Sequence, residues 1–379
     1  MDFAEALCSW FLVNKREMPW RNTRDPYRIW VSEVMLQQTQ VDTVIPYYNR
    51  FMERFPDIES LAAAPQEEVY RFWQGLGYYR RASNLHNGAK RIHADYDGVF
   101  PAEPEKASKI PGIGPYTLGA VLSISHNLPL PAVDGNVMRV ISRQFKIEED
   151  ITLAGTRKTF ESLVLKLMTQ EPRIFNQALM ELGALICTPK NPKCLTCPVA
   201  AFCMAREEEV TGLYPVKSKK APVEKEKYRI LAAVIKDEMQ GARLWLEKRE
   251  EKGLLADLWG FPMVTEKMWK AVYEKLFLKP GVKWKALKQV NHVFSHRKWE
   301  MVPVVMEFIP EHEELLRDLD KWAFKEDAFE EGGAQYVLSG QASRSRKKGF
   351  FAEAELDALP MGTAHKKMLP QILEAAVLK

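Results

Sequence analysis

Residues Ile110-Pro111-Gly112-Ile113-Gly114-Pro115-Tyr116 form a turn that can cradle an anion. Gly112 and Gly114 admit positive φ and carry no Cβ, so backbone N–H groups can approach a phosphate at the start of the following helix. Leu118, Val121, Leu122 and Ile124 have helical spacing over Tyr116 to Ser125, and Pro115 suits a first helical turn. Taken alone, such a turn is equally an ordinary link between helices. Eighteen residues beyond Tyr116 stands Asp134, in Val133-Asp134-Gly135-Asn136-Val137, and after it Cys187, Cys194, Cys197 and Cys203 with the spacing C-x6-C-x2-C-x5-C. The fifth cysteine, Cys8, is far away in sequence. The chain opens without a signal-peptide block, which leads us to expect a reducing compartment, where four clustered thiolates hold a metal rather than two disulfides. Zinc and an iron–sulfur cluster both suit four cysteines, although the six-residue first gap is longer than zinc ribbons usually have. Lys190 and Lys193, stiffened by Pro189 and Pro192, give this loop a positive face whose natural partner is DNA phosphate.

With these features on one chain, the sequence resembles the MutY family of adenine DNA glycosylases, within the helix-hairpin-helix superfamily that also holds endonuclease III. The resemblance runs nearly the whole length. It rests on Met18-Pro19-Trp20-Arg21, Glu33-Val34-Met35-Leu36-Gln37-Gln38-Thr39-Gln40, Gly75-Leu76-Gly77-Tyr78-Tyr79, the hairpin, Val133-Asp134-Gly135-Asn136, Asn176-Gln177-Ala178-Leu179-Met180-Glu181-Leu182-Gly183 and the four cysteines. It implies a 4Fe-4S cluster on those cysteines rather than zinc. It also implies a substrate of double-stranded DNA in which adenine is mispaired with 8-oxoguanine or guanine. The expected protein is a monomer of the cytoplasm, associated with the nucleoid of a bacterium.

Cleaving the N-glycosidic bond of a neutral adenine requires an acid for the leaving purine and an anion for the oxocarbenium-like sugar, the two-carboxylate logic of glycoside hydrolysis. Glu33 and Asp134 supply that pair. Ile29-Trp30-Val31-Ser32 and Val34-Met35-Leu36 surround Glu33 with apolar residues, which would raise the pKa of a buried carboxyl; on the wet face of an amphipathic helix the same residue would be inert. The resemblance implies that Glu33 protonates adenine N7 and then assists water, that Asp134 either stabilises the cation or bonds briefly to C1′, and that Tyr116 and Asn136 orient the sugar and the carboxylates. A base in a duplex must leave the stack to reach such a site. Trp20, Arg21, Leu36 and Gln177 match the family's adenine pocket, and Gln38, Thr39 and Tyr78 match positions that probe the gap in the duplex. An endonuclease III-like lyase would carry a lysine where this chain has Tyr116, and a non-catalytic iron–sulfur DNA-binding protein would not need both carboxylates.

The elements that must position these residues follow from periodicity. Apolar spacing through Phe3, Leu7, Trp10 and Phe11, through Trp30, Val34, Val41 and Ile45, and through Phe160, Val164 and Leu167 predicts an all-α domain over 1–214. Residues 215–227, rich in lysine and interrupted by Pro222, read as an exposed linker. Over 228–379 the pattern turns to strands, at Ile230 to Ile235, Leu244 to Leu246 and Met301 to Phe308, with a closing helix around Lys366 to Ala376; this α+β part resembles the Nudix-like domain of the same family. Leu254-Leu255-Ala256-Asp257-Leu258-Trp259-Gly260-Phe261-Pro262 carries that likeness, but Met263 to Trp269 lacks the paired glutamates with which Nudix hydrolases bind magnesium. Nucleotide hydrolysis is therefore not expected; the resemblance implies instead that the domain recognises the oxidised base, with Phe294-Ser295-His296 matching the family's recognition loop. The basic segment 340–349 fits the family pattern less well and reads as a solvated loop. Net charge is only +4, so DNA affinity must come from local patches such as Arg80-Arg81. At 46% apolar residues there is material for two cores, and no run is long and apolar enough for a membrane span.

Overall fold

The computed structural model describes residues 2–153, 155–218, 222–237, 241–250, 253–280, 282–294, 296–307 and 347–377. The chain divides into two compact units, Met1–Lys220 and Ala221–Lys379.

The first unit is helical. Its first half holds α1 (Phe3–Asn14), α2 (Pro26–Leu36), α3 (Val41–Arg54), α4 (Ile58–Ala63), α5 (Gln66–Trp73) and α6 (Arg80–Asp95). Then come α7 (Pro104–Ala107), α8 (Pro115–His126), α9 (Gly135–Phe145), α10 (Thr156–Leu167) and α11 (Pro172–Leu185), with short turns through the cysteine loop. Local chemistry starts them. Asp2 and Glu5 form a capping box on α1, and Asp25 caps α2 ahead of Pro26. Helix α2 buries residues all round its circumference, from Tyr27 through Met35, as expected of a helix enclosed by its neighbours. On one side lies a core of Trp30, Phe51, Phe55 and Trp73, whose rings meet at 4.8 Å for Phe51 with Phe55 and 6.1 Å for Phe51 with Trp73. A second core joins Leu7 and Phe11 of α1 to Val137 and Ile141 of α9, Phe160 of α10 and Phe175, Leu179 and Leu182 of α11.

The second unit is built on a mixed sheet. Its strands are β1 (Glu224–Asp237), β2 (Gly241–Lys248), β3 (Trp259–Gly260), β4 (Met263–Thr265), β5 (Lys283–Ala286), β6 (Val290–Val293), β7 (Arg297–Glu307) and β8 (Lys348–Ala352). The main path runs β3-β2-β1-β7-β5, with β4 on β1, β6 on β7 and β8 on β2. Strand β1 pairs antiparallel with β2 and parallel with β7. Its alternation sends Ile230, Ala232 and Val234 into a core with Met368, Ile372 and Ala376, and Leu231 and Ala233 into another with Val272, Leu276 and Phe277. Both faces are covered, which explains the continuous apolar run.

Two expectations need correction here. The linker expected at 215–227 is in part sheet: Glu224 to Lys227 open β1 and pair with Arg297 to Glu300 of β7. Before it, Val216 accepts a backbone bond from Ile151 at 3.1 Å and the Ser218 N–H donates to Asp150 at 2.8 Å. The closing helix around Lys366 to Ala376 is two pieces, Thr363–Lys366 and Leu369–Val377. Ser295 and most of segment 340–349 lie outside the described residues.

Candidate active site

A cavity of about 1000 Å³ opens in the helical unit, lined by residues of α2, α8, α9 and α11 and of the segments before α2 and after it. It brings together Trp20, Arg21, Glu33, Leu36, Gln38, Thr39, Gly112, Gly114, Tyr116, Asp134, Asn136 and Gln177, residues spread over more than 150 positions of sequence. Tyr78 is not among its lining residues, and Phe294 and His296 belong to the other unit.

Glu33 is buried on α2, and the Tyr116 hydroxyl donates to its Oε2 at 2.5 Å. Burial pushes the Glu33 carboxyl up to about 7, against the opposing pull of the Tyr116 bond; the nearby Asp134 raises it further and Arg21 lowers it. Asp134 is the N-cap of α9. Its Oδ1 accepts from the Val137 N–H at 2.8 Å and its Oδ2 from Asn136 Nδ2 at 2.8 Å. Burial raises the Asp134 carboxyl too, and those bonds hold it down. Two donors thus favour the anion at Asp134 where Glu33 has one, so the two carboxyls are suited to different protonation states.

Asn136 is itself held. Arg139 Nη2 donates to Asn136 Oδ1 at 2.8 Å and to the Gly183 carbonyl at 2.8 Å, and Arg139 Nε donates to the Cys187 carbonyl at 2.7 Å. Gly183 permits this approach, since a Cβ there would fall 2.7 Å from Asn136 Cβ. One turn on, Arg143 donates to the Thr188 carbonyl at 2.8 Å and to Cys187 Sγ at 3.3 Å. One helix therefore carries the carboxylate at its start and grips the cysteine loop along its length.

Across the cavity Arg21 donates to Gln177 Oε1 at 3.0 Å and to Glu181 Oε2 at 2.9 Å. Glu181, which our reading of the sequence passed over as a site residue, also takes both Arg16 Nε at 2.9 Å and Arg16 Nη2 at 3.0 Å. It is buried, and its position inside the Asn176 to Gly183 motif was the available signal. Met180 was missed as well; its sulfur lies 3.3 Å from the Tyr116 hydroxyl. Gly112 has φ +82°, with Asn84 2.8 Å from where a Cβ would stand, and Gly114 starts α8 with no side-chain cap. The open N–H groups there suit an anion. Gln38 and Tyr78 are exposed and both have left-handed backbone, φ 59° and 48°. Such conformations cost non-glycine residues about 1–3 kcal/mol each. Arg81, expected in a DNA-facing basic patch, is instead buried and bonded to backbone carbonyls; Arg80 is exposed.

Cys187, Cys194, Cys197 and Cys203 line one small cavity with Arg143 and Lys193, and Cys197 is pushed up to about 11 by burial and by the other three. Four thiols border this common space and could together hold an inorganic group, and Arg143 offers positive charge to the thiolates this would create. Lys190 and Lys193 are exposed beside them.

Comparison with known proteins decides the family. The chain is 36% identical over 308 residues, covering 80% of it and 87% of its counterpart, to an adenine DNA glycosylase of Buchnera aphidicola subsp. Schizaphis graminum. The chain belongs to the adenine DNA glycosylase family. A mouse adenine DNA glycosylase is 34% identical over 353 residues, 78% of this chain and 68% of that one. Residues 31–166 match the HhH-GPD superfamily of base excision DNA repair proteins, 187–203 the iron-sulfur binding domain of endonuclease III, and 231–371 a NUDIX domain. The structure of a thermostable thymine-DNA glycosylase superposes with TM-score 0.50 at 30% identity, over 54% of this chain and 95% of that one. The fold is thus the glycosylase family's helical domain with an iron–sulfur binding loop, followed by a Nudix-like domain. No helix among the described residues is long and apolar enough to cross a membrane.

Proposed function

We propose that this adenine DNA glycosylase removes adenine opposite 8-oxoguanine or guanine in duplex DNA by hydrolysis and leaves an intact abasic strand. The observation that carries the reading is the pair of carboxyls in one cavity, Glu33 buried and raised to about 7 and the half-buried Asp134 fixed as a helix cap. Glu33, protonated, donates to N7 of the extruded adenine as the C1′–N9 bond breaks and the bonding electrons leave with the base. The Asp134 carboxylate stabilises the cation at the sugar. Glu33, now ionised, takes a proton from the water that attacks C1′, which returns the acid for the next cycle. Tyr116 keeps Glu33 aimed, while Asn136 and the Val137 N–H keep Asp134 aimed. Trp20, Arg21, Leu36 and Gln177 form the pocket wall for the base. The uncapped start of α8 at Gly112 and Gly114 takes a backbone phosphate. Phe294, with Ser295 and His296, contacts the oxidised base from the Nudix-like domain, whose own domain boundary we place at the chain's change from helices to sheet.

Cys187, Cys194, Cys197 and Cys203 would hold a 4Fe-4S cluster, which supplies no step of this hydrolysis but shapes the loop that carries Lys190 and Lys193 to DNA. No lysine is among the residues lining the cavity, and Tyr116 is engaged with Glu33, which supports hydrolysis over Schiff-base chemistry. The protein acts as a monomer on the bacterial nucleoid in this reading. The test is hot-alkali strand scission after incubation with duplexes carrying adenine opposite 8-oxoguanine, guanine or thymine. Cleavage ordered 8-oxoguanine, then guanine, with none opposite thymine, is expected; scission without alkali, or none at all, refutes the proposal.

A further inference from the structure

Arg81 sits in the first turn of α6, where a helix dipole disfavours a cation, and it is buried. Its named partners are carbonyls and one hydroxyl rather than a carboxylate. Nη1 donates to the carbonyls of Val34 at 2.9 Å, Met35 at 2.8 Å and Gln37 at 2.7 Å, the end of α2 that the helix itself leaves unsatisfied. Nη2 donates to Thr39 Oγ1 at 3.3 Å and to the carbonyls of Leu76 at 3.2 Å and Gly77 at 3.2 Å. The guanidinium also lies 5.6 Å from the Tyr78 ring centre. One planar fork therefore ties together two chain segments some forty residues apart, and each is followed or interrupted by an exposed side chain on left-handed backbone, Gln38 and Tyr78.

A structural cap alone needs one nitrogen on one helix end. Here Nη1 holds the end of α2 while Nη2 bridges from Thr39 to Leu76 and Gly77, a two-nitrogen span that a lysine ammonium cannot reproduce. We propose that Arg81 is a positioning residue for lesion recognition, which fixes Gln38 and Tyr78 relative to each other so that both meet the opened duplex in one register. The inference rests on the reading of those two residues as probes of the DNA gap. Its consequence is selective: loosening the fork lets the strained residues relax, which costs the extra affinity for mispaired DNA but not the general attraction to phosphates.

The experiment uses the full-length, cluster-containing protein and measures Kd by fluorescence anisotropy for two duplexes. One carries 2′-fluoro-deoxyadenosine opposite 8-oxoguanine, where the fluorine suppresses bond cleavage; the other is the same sequence fully paired. Arg81→Met should lower the ratio of the two affinities by about tenfold or more, the range that one recognition contact commonly commands. Arg81→Lys should lower it nearly as far although it keeps the charge, and it carries the test if Arg81→Met does not fold. Adding Gln38→Ala to Arg81→Lys should cost little more, since both changes remove the same contact. An unchanged ratio in Arg81→Lys, whatever its thermal stability, reduces Arg81 to a helix cap and overturns the proposal. Adenine excision by the wild type is scored alongside: its absence refutes the functional reading itself, whereas its presence with an unchanged ratio refutes the role of Arg81 alone.

Discussion

Replacing Glu33 by glutamine should remove chemistry and, at alkaline pH, add stability. The amide oxygen can still accept from Tyr116, but the side chain can no longer deliver an acidic proton to a purine, so excision should fall by a factor of about 10²–10⁴ or more. In the wild type the rate should decline tenfold per pH unit above about 7 as Glu33 ionises. The stability argument follows from the same carboxyl. Its folded-state pKa lies above its unfolded one, so the folded protein holds the proton more tightly, and the resulting stabilisation is complete below about 4.5 and lost as pH rises through about 7. The distance from 4.5 to about 7 corresponds to about 3 kcal/mol, since one pH unit is worth about 1.36 kcal/mol. Glutamine has no charge to bury at any pH. Its own packing cost is independent of pH and cancels when the wild-type and variant melting curves are compared at pH 5 and again at pH 8.5. The variant should gain on the wild type by about 6–12 °C between those conditions. Single-turnover excision with quenching in alkali gives the rate, and thermal melts give the stability. Excision within threefold of wild type, or a melting difference that does not grow with pH, would falsify the assignment of Glu33 as a buried acid.

Removing Glu181 as Glu181→Ala leaves Arg21 buried without its partner and should cost about 3–5 kcal/mol, read as a lower denaturation midpoint at unchanged slope. Asp134→Asn keeps an oxygen for the Val137 N–H but turns an amide NH2 toward Asn136 Nδ2, so stability should fall by about 1–3 kcal/mol while excision at saturating folded protein falls at least a hundredfold; excision that is kept in the folded protein would mean that Asp134 is only a cap. Cys194→Ser should lower iron content and weaken DNA binding before it affects the rate at saturating protein; stoichiometric zinc in anaerobically prepared wild type would contradict the cluster. Tyr116→Lys should form a borohydride-trappable adduct with DNA that the wild type does not form; equal trapping by both would move the protein to the lyase class.

Much of the site was legible because its residues sit in short motifs at segment ends, where local rules are strong. Pro115 at the start of α8 is an example, since a first-turn proline depends on neighbours within four residues; that Asp134 also caps α9 was not read, although an Asp just before a helix is the local signal for it. What sequence could not give was pairing across distance. Arg21 with Gln177 is 156 residues apart, and nothing local distinguishes a buried Arg81 from the exposed Arg80 beside it. The start of β1 was read as linker for a related reason. Glu224-Lys225-Glu226-Lys227 has no apolar periodicity, and its strand is held by partners on β7: Arg297 reaches Glu226 at 2.9 Å and Trp299 Nε1 donates to the same carboxylate at 2.7 Å. The two-faced burial of Ile230 to Val234 was visible as an apolar run, but which neighbours cover each face was not.

Asp134, the residue just before α9, owes its aim to the fold. A carboxylate that could attack or stabilise sugars would be a hazard to healthy DNA if it worked in a loosely folded chain. Here its two oxygens are oriented by the Val137 amide and by Asn136, and the Asn136 side chain in turn by Arg139, which is itself anchored on the carbonyl of Cys187. The aim of this carboxyl is therefore set by the folded end of α9 and by the neighbours that hold Asn136, not by Asp134 alone.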